Sequence, residues 1–185
     1  MSSAAIAATP PDSPETSALH IVSTDALEAG PVALAVHHWT ALKGKRRFPA
    51  RDDISPRDMA PFLRNVVMIR IVDSGRDYEY RIVGDAHVQA QGINFAGHTL
   101  SAIEAINPDY GTNTRTAYDY VRATAEPIAM RGWIGRDRPQ SAYSYYETAF
   151  LPLGQNNIVD HLLVVTNYRP RAGQEFEPAV RLPKN

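Results

Sequence analysis

The sequence predicts an α+β fold in which a five-stranded antiparallel sheet carries helices on one face and is preceded by an N-terminal helix. Two observations lead to this prediction. Segments with the composition of β-strands come in two groups, one before and one after a helix-rich stretch. The connections within each group are short and hold turn residues, which favours antiparallel neighbours. Helices that pack on such a sheet bury its apolar face, which is an α+β layer architecture.

The N-terminal helix is indicated by apolar residues at helical spacing. Val32, Val36 and Trp39 recur along one face, with a proline at the start and a glycine after the last turn. Residues 1–30 hold four acidic residues and no lysine or arginine, and their first part is rich in Ala, Ser, Thr and Pro. That composition offers little to bury, so we predict a disordered tail over residues 1–30.

A basic loop follows this helix, because residues 43–51 contain five lysines and arginines. Arg46, Arg47 and Arg51 are candidates for binding a phosphate, a nucleotide messenger or an acidic partner. The alternative is a solvated loop whose arginines tie the helix to the sheet. A capping-box pattern then predicts a short helix that ends at Leu63. Residues 31–64 are therefore expected to form a helical flank with a basic loop.

The remaining elements are predicted from changes in hydrophobic period. They form a domain over residues 65–169, and residues 170–185 hold three prolines and are expected to be an extension. The predicted elements are strands over 65–73, 78–83, 128–135, 142–153 and 158–168, short helical pieces over 85–106, and a long helix over 108–125.

Composition excludes several functions. The chain has 185 residues, a net charge of -1 and no cysteine. The missing thiols exclude disulfides, zinc–thiolate sites, iron–sulfur clusters, cysteine nucleophiles and photoreceptors that need a cysteinyl adduct. A near-neutral charge gives no general attraction to nucleic acid. The sequence has no apolar run of membrane-spanning length and no basic signal-peptide start, so we expect a cytoplasmic protein.

Several motifs together resemble a PAS-like family that is common in alphaproteobacteria. They are the Trp-x-x-Leu-x-Gly-x-Arg-Arg-x-Pro-x-Arg opening at Trp39–Arg51, the Ile-x-Pro-Arg-Asp segment at 54–58, the strand end at Tyr80–Gly84, the glycine-spaced segment at Gly92–Leu100, and the late strand at Phe150–Gly154. The resemblance implies a PAS fold and a role in sensing or signalling. It also implies that the output comes from another protein, since no output domain fits in the remaining residues.

Catalysis and cofactor binding receive little support from the sequence. The six histidines form no HExxH pattern, and neither a Gly-x-Ser-x-Gly motif nor a Walker loop occurs. Haem-binding PAS domains place an axial histidine on the long helix, and the long helix here has none. We therefore predict no cofactor, no metal and no enzymatic activity.

A polar and aromatic pocket between the long helix and the sheet could hold a small ligand. His98, Tyr118 and Tyr146 are candidates to line it, although ordinary packing explains them equally well. Arg81 is a further candidate, because a lone cation in an apolar strand needs a partner. That partner is either a carboxylate of this chain, such as Asp85 or Glu147, or an anionic ligand group or an acidic side chain of a partner protein.

Two functions remain open at this point. The first is a sensory PAS module that acts through a protein partner, with or without a small ligand. It is expected to be a homodimer that uses Val32, Val36 and Trp39. The second is a small-molecule-binding or catalytic α+β protein whose long helix covers a pocket.

Overall fold

A computed structural model describes residues 15–138 and 141–171 and the backbone of the pair 180–181. Its centre is a six-stranded antiparallel sheet with the strand order β1-β5-β6-β7-β2-β3, and β4 and β8 form a separate parallel pair. The strands are β1 (Ala18–Val22), β2 (Val66–Val72), β3 (Asp77–Val83), β4 (Ile93–Asn94), β5 (Ile128–Trp133), β6 (Tyr143–Gln155), β7 (Ile158–Pro170) and β8 (Val180–Arg181).

Within the described residues, four α-helices accompany the sheet. They are α1 (Pro31–Lys43), α2 (Asp85–Gln91), α3 (Leu100–Glu104) and α4 (Pro108–Thr124). The predicted α+β class and the predicted long helix are confirmed. The short helix predicted to end at Leu63 is wrong, because the chain forms turns there. Pro61 lacks the N–H that a helix would need and clashes with the preceding turn. Met59 and Phe62 of this segment nevertheless lie in the core.

The sheet has six strands rather than the five predicted. The additional strand, β1, lies within the segment 1–30 that was expected to be a disordered tail, and it pairs with β5 through Leu19 opposite Gly132 and Ile21 opposite Met130. Most of β1 is exposed and its partner is more than a hundred residues away, so no local pattern indicates the pairing. Residues 1–14 and most of the predicted extension lie outside the described residues.

Helix α1 covers one face of the sheet, here named the outer face. Val32, Ala35 and Trp39 are buried there, and the Trp39 indole donates a hydrogen bond to the Pro152 carbonyl at 2.9 Å. Val36 is partly buried against the same core. The apolar stripe that suggested a dimer interface therefore packs inside a single chain. The prediction that Val32 and Trp39 lie on a surface open to a second copy is therefore corrected, because both side chains are buried within one chain.

The residues just before α1 are held by a buried carboxylate on the outer face. The Glu147 side chain is only 3% exposed. It accepts hydrogen bonds from the Arg131 guanidinium at 2.7 Å and from the Glu28 backbone N–H at 3.2 Å. The Glu28 carboxylate in turn accepts from the Tyr145 hydroxyl and pairs with Arg169. These contacts satisfy a buried charge, which would otherwise strongly destabilise the fold.

Candidate functional site

A pocket of about 780 Å³ lies between the opposite, inner face of the sheet and helices α2 and α4. Its closed end is apolar, because Val67, Val164 and Phe150 lie side by side on β2, β7 and β6. Asp109 and Arg138 lie at its open end, where both residues are exposed. The pocket is therefore apolar at its closed end, and among the described residues its charged side chains lie at the mouth.

The floor of the pocket becomes polar toward the mouth. Thr148 and Thr166 are paired across β6 and β7, with their hydroxyl oxygens 2.8 Å apart. Two residues further along the same face, Tyr146 lies opposite Tyr168. The Tyr146 ring can lie over β5 because Gly132 has no side chain, and a Cβ there would be 2.3 Å from the Tyr146 Cε1 atom. The sheet register thus places the two threonine hydroxyls next to the two tyrosine side chains on the pocket floor.

The roof of the pocket comes from α4. The Asn107 side chain caps this helix by accepting a hydrogen bond from the Tyr110 N–H. Tyr110, Thr114 and Tyr118 then recur every four residues and line the pocket. The Tyr118 hydroxyl donates to the Tyr80 hydroxyl at 3.3 Å, and the Tyr80 and Tyr110 hydroxyls are 3.0 Å apart. The roof therefore carries a connected set of phenols.

His87 of α2 joins the roof to the floor. Its Nε2 atom is 3.4 Å from the Tyr110 hydroxyl, and its Nδ1 atom is 2.8 Å from the Tyr168 hydroxyl. The residue is 4% exposed, and burial lowers the pKa of His87 to about 4. The imidazole is therefore neutral at physiological pH, with one nitrogen that donates a hydrogen bond and one that accepts.

The phenols of the pocket are neutral too, and burial moves their pKa values even further from physiological pH. Burial raises the pKa of Tyr146 to about 12 and raises the pKa values of Tyr110 and Tyr168 well above the usual value. Among the described residues that line the pocket, Asp109 and Arg138 are the ionised ones. The interior offers neutral hydrogen-bonding groups and aromatic surface.

The structure places two of the four predicted ligand-binding residues in the pocket wall, Tyr118 and Tyr146. Arg81 and His98 are not in that wall. Arg81 is 53% exposed on the edge strand β3 and pairs with Glu79 at 2.9 Å. His98 is buried in the loop that covers that edge, where its carbonyl accepts from the Tyr80 N–H.

The carboxylates predicted as partners for Arg81 have other partners. Asp85 pairs with Arg64 at 3.2 Å, and Glu147 pairs with Arg131. Arg81 points to the outer side of an edge strand, so water solvates it and the expected cost of burying its charge does not arise.

The arginines of the basic loop contact their own chain. Arg46 pairs with Asp53 at 2.7 Å, and Arg47 lies 3.5 Å from the Glu126 carboxylate. Arg51 donates to a main-chain carbonyl three residues further on. These contacts favour the interpretation that the loop ties α1 to the rest of the domain, and anion binding by the three arginines stays a prediction.

Several pocket residues were not predicted, and the reasons differ. In a regular strand Tyr143 and Tyr145 would share a face, but the register of β6 shifts between them. This irregularity brings Tyr143 to the pocket side, where its ring packs on Tyr146 and Tyr168. His87, Tyr110 and Tyr168 come from separate elements, and no sequence spacing relates them. The pairing of Thr148 with Thr166 depends on the register between β6 and β7.

Over residues 15–138 and 141–171, no group of three or more His, Asp or Glu side chains is arranged to hold a metal ion. None of the helices in the described part of the chain is both long enough and apolar enough to cross a bilayer.

Comparison with known proteins identifies the family. A search of curated proteins finds no match, and neither does a search of solved structures. A family model described as a PAS domain matches residues 28–162, a range that begins before α1 and extends into β7. The match covers most of the chain, and the antiparallel sheet with its helices agrees with it. This chain therefore belongs to the PAS domain family.

Proposed function

We propose that this chain is a sensory module that binds a small molecule in the inner-face pocket and relays its occupancy to a second protein by contact. Membership of the PAS family indicates a sensory or signalling role. The pocket of about 780 Å³ carries the more specific proposal. Its size is in the range that encloses a drug-sized ligand. From the motifs we also predict a place among the PAS-like proteins common in alphaproteobacteria.

A module that acts by protein contact alone would be expected to have a filled core. Here the space beneath α4 is lined by apolar groups at one end and by hydroxyls at the other, which is the mixed lining that ligand sites use. These features support the ligand-binding form of the proposal.

The catalytic alternative is less well supported by the same side chains. A general base works best when its pKa is near the working pH. Burial lowers the pKa of His87 and raises that of Tyr168, so both groups hold their neutral forms strongly. This pair is suited to binding by hydrogen bonds more than to proton transfer, and we propose a non-enzymatic role.

We further propose that the partner is a second copy of this chain and that it docks on β1. Leu19 lines the pocket and is 52% exposed, and Ile21 is 74% exposed on the same edge strand. Residues 18–22 carry no charged side chain. Antiparallel pairing of two such strands around His20 would therefore bring no like charges together. Because Leu19 belongs to both surfaces, occupancy of the pocket can alter this contact.

Ligand binding can be tested with the purified chain. Molecules released on denaturation are identified by mass spectrometry, and a fragment library is screened by thermal shift. Ala117→Phe places a ring in the pocket and should abolish the stabilisation, whereas Ala123→Phe on the exposed side of the same helix should preserve it. The absence of any co-purified molecule and of any binding fragment would contradict the proposal.

A further inference from the structure

The hydrogen bonds of the roof have a direction. Tyr118 donates its hydroxyl hydrogen to Tyr80, which is fully buried. A phenol has one hydrogen to donate. Since Tyr80 accepts from Tyr118, its own hydrogen goes to the other hydroxyl in reach, that of Tyr110 at 3.0 Å. Each of these hydroxyls therefore donates to the next, from Tyr118 to Tyr80 and from Tyr80 to Tyr110, in the direction of α2.

The same direction continues through His87. Tyr110 accepts from Tyr80 and donates to the His87 Nε2 atom at 3.4 Å. Since a neutral imidazole accepts at only one nitrogen, the hydrogen of His87 is on Nδ1, which donates to the Tyr168 hydroxyl at 2.8 Å. Tyr168 also accepts from the Gln91 amide at 3.4 Å. The network ends on Tyr168, which also has a hydrogen bond with the Thr166 side chain.

Two neighbouring positions on the floor have a hydroxyl hydrogen left over. The Tyr146 hydroxyl makes no hydrogen bond within the described residues, and it lies opposite Tyr168 on the next strand. Thr166 has hydrogen bonds with both Thr148 and Tyr168, so these three hydroxyls keep one hydrogen that no bond among them uses. Two O–H donors are thus available on the pocket floor, one from Tyr146 and one from this set, which matches a ligand with oxygen acceptors.

The charges around the pocket indicate whether such a ligand is anionic, cationic or neutral. An anion would have to leave water for a wall of apolar and neutral groups, which is unfavourable without a cation nearby. Arg138 lies only at the mouth. A cation is also disfavoured, because the rings of Tyr143, Tyr146 and Tyr168 pack on one another with centroids 4.8–6.5 Å apart. Rings in mutual contact leave no space between them for an ammonium group.

We infer that the pocket takes an uncharged aromatic carbonyl compound, whose carbonyl oxygen accepts from Tyr168, Tyr146 or the Thr148–Thr166 pair and whose rings lie among the aromatic walls. This inference rests on the proposed ligand-sensing function and specifies its ligand class. Ketones, lactones and quinones share this chemistry. The ligand needs no ionised group.

The test compares two probes of the same shape, acetylnaphthalene and naphthoate, by calorimetric titration at neutral pH. The ketone should bind at least about tenfold more tightly than the carboxylate, because only the carboxylate loses the hydration of a charge. Tyr168→Phe, Tyr146→Phe and Thr148→Val each remove one hydroxyl and nearly keep the shape of the side chain, and at least one of them should weaken ketone binding about tenfold. Unchanged ketone binding in all three variants would overturn the inference. Tyr120→Phe on the exposed side of α4 is the matched control and should change nothing.

A spectroscopic measurement tests the hydrogen-bond direction without any ligand. In protein with isotope-labelled histidine, nuclear magnetic resonance should show His87 as the tautomer with its hydrogen on Nδ1. The opposite tautomer would place the surplus hydrogen elsewhere and would overturn the inference.

The binding results separate the inference from the function on which it rests. Tighter binding of naphthoate, lost in Arg138→Gln, would overturn the uncharged class and leave ligand sensing intact. If neither probe binds while other fragments stabilise the protein, the inferred ligand class is again overturned and ligand sensing stays intact. If no fragment binds at all, the proposed function itself fails.

Discussion

The Trp39 indole nitrogen and the Pro152 carbonyl oxygen form a buried hydrogen bond of 2.9 Å that joins α1 to the middle of the sheet. Pro152 lies on β6, next to the central strand β7, and has no N–H to contribute to the sheet. Its carbonyl is therefore the one main-chain group of this residue that needs a partner, and the indole supplies it. Helix α1 is consequently part of the core of the domain.

This contact predicts the effect of removing the indole. Trp39→Ala should lower the free energy of unfolding by about 3–5 kcal/mol, because it leaves a cavity and an unsatisfied carbonyl. Leu34→Ala on the exposed side of the same helix, where Leu34 is 51% exposed, should cost less than about 0.5 kcal/mol. Urea denaturation measures both. A Trp39→Ala protein that keeps its stability but dissociates from a dimer would instead favour the interface predicted for α1.

The edge strand predicts a site of self-association. Ile21→Lys should convert a wild-type dimer to a monomer, since a charge on an exposed edge opposes strand pairing. Ile158→Lys introduces the same charge at another exposed isoleucine, on the β6–β7 hairpin, and should leave the dimer intact. Light scattering at high concentration measures the molecular mass of the wild type and of both variants. A monomeric wild type would refute the proposed dimer.

The buried imidazole predicts a dependence of stability on pH. The pKa of His87 is lowered from 6.5 to about 4 in the folded chain. Between those values the unfolded chain binds the proton and the folded chain does not. The contribution of His87 to the free energy of unfolding is therefore full above pH 6.5 and is lost as the pH falls toward 4. The total loss is about 3 kcal/mol. His87→Gln cannot titrate, so the wild type should lose more stability than the variant over this range. Equal losses in urea titrations would refute the prediction.

The glycine beneath the Tyr146 ring predicts a change in pocket shape. Gly132→Ala places a methyl group 2.3 Å from the Tyr146 Cε1 atom, so the ring must move. We expect a loss of stability of about 1–3 kcal/mol from overpacking and weaker ligand binding. Gly30→Ala, where a Cβ has no atom within 4 Å, is the control. Unchanged affinity for a pocket ligand in Gly132→Ala would show that Tyr146 does not contact the ligand.

Two arginines of the sheet should differ sharply in importance. Arg81→Met removes an exposed ion pair and should cost less than about 1 kcal/mol. Arg131→Met leaves the buried Glu147 carboxylate without its cation and should cost about 3 kcal/mol. Thermal and urea denaturation compare the two variants. A loss of ligand binding in Arg81→Met, with its melting curve unchanged, would restore Arg81 as a recognition residue.

Much of the fold could be predicted because its signals are local. Asn107 and Pro108 mark the start of α4, and Tyr110, Thr114 and Tyr118, spaced four residues apart, mark its face. Alternation around Tyr78 and Tyr80 predicts β3 within one residue of its observed bounds. These signals act over a few residues, where helix and strand periods and capping hydrogen bonds operate.

The candidate site depended on tertiary structure. Tyr118 and Tyr146 were predicted because the long helix and a strand had to face each other, but His87 and Tyr168 meet only after α2 folds over β7. The pairing of β1 with β5 and the irregularity after Tyr143 also come from contacts between distant segments. By itself, the sequence determined the α+β class, the PAS resemblance and most element bounds, because periodicity and caps are properties of neighbouring residues. Tertiary structure alone decided which hydroxyls face one pocket, because that depends on strand register and helix packing.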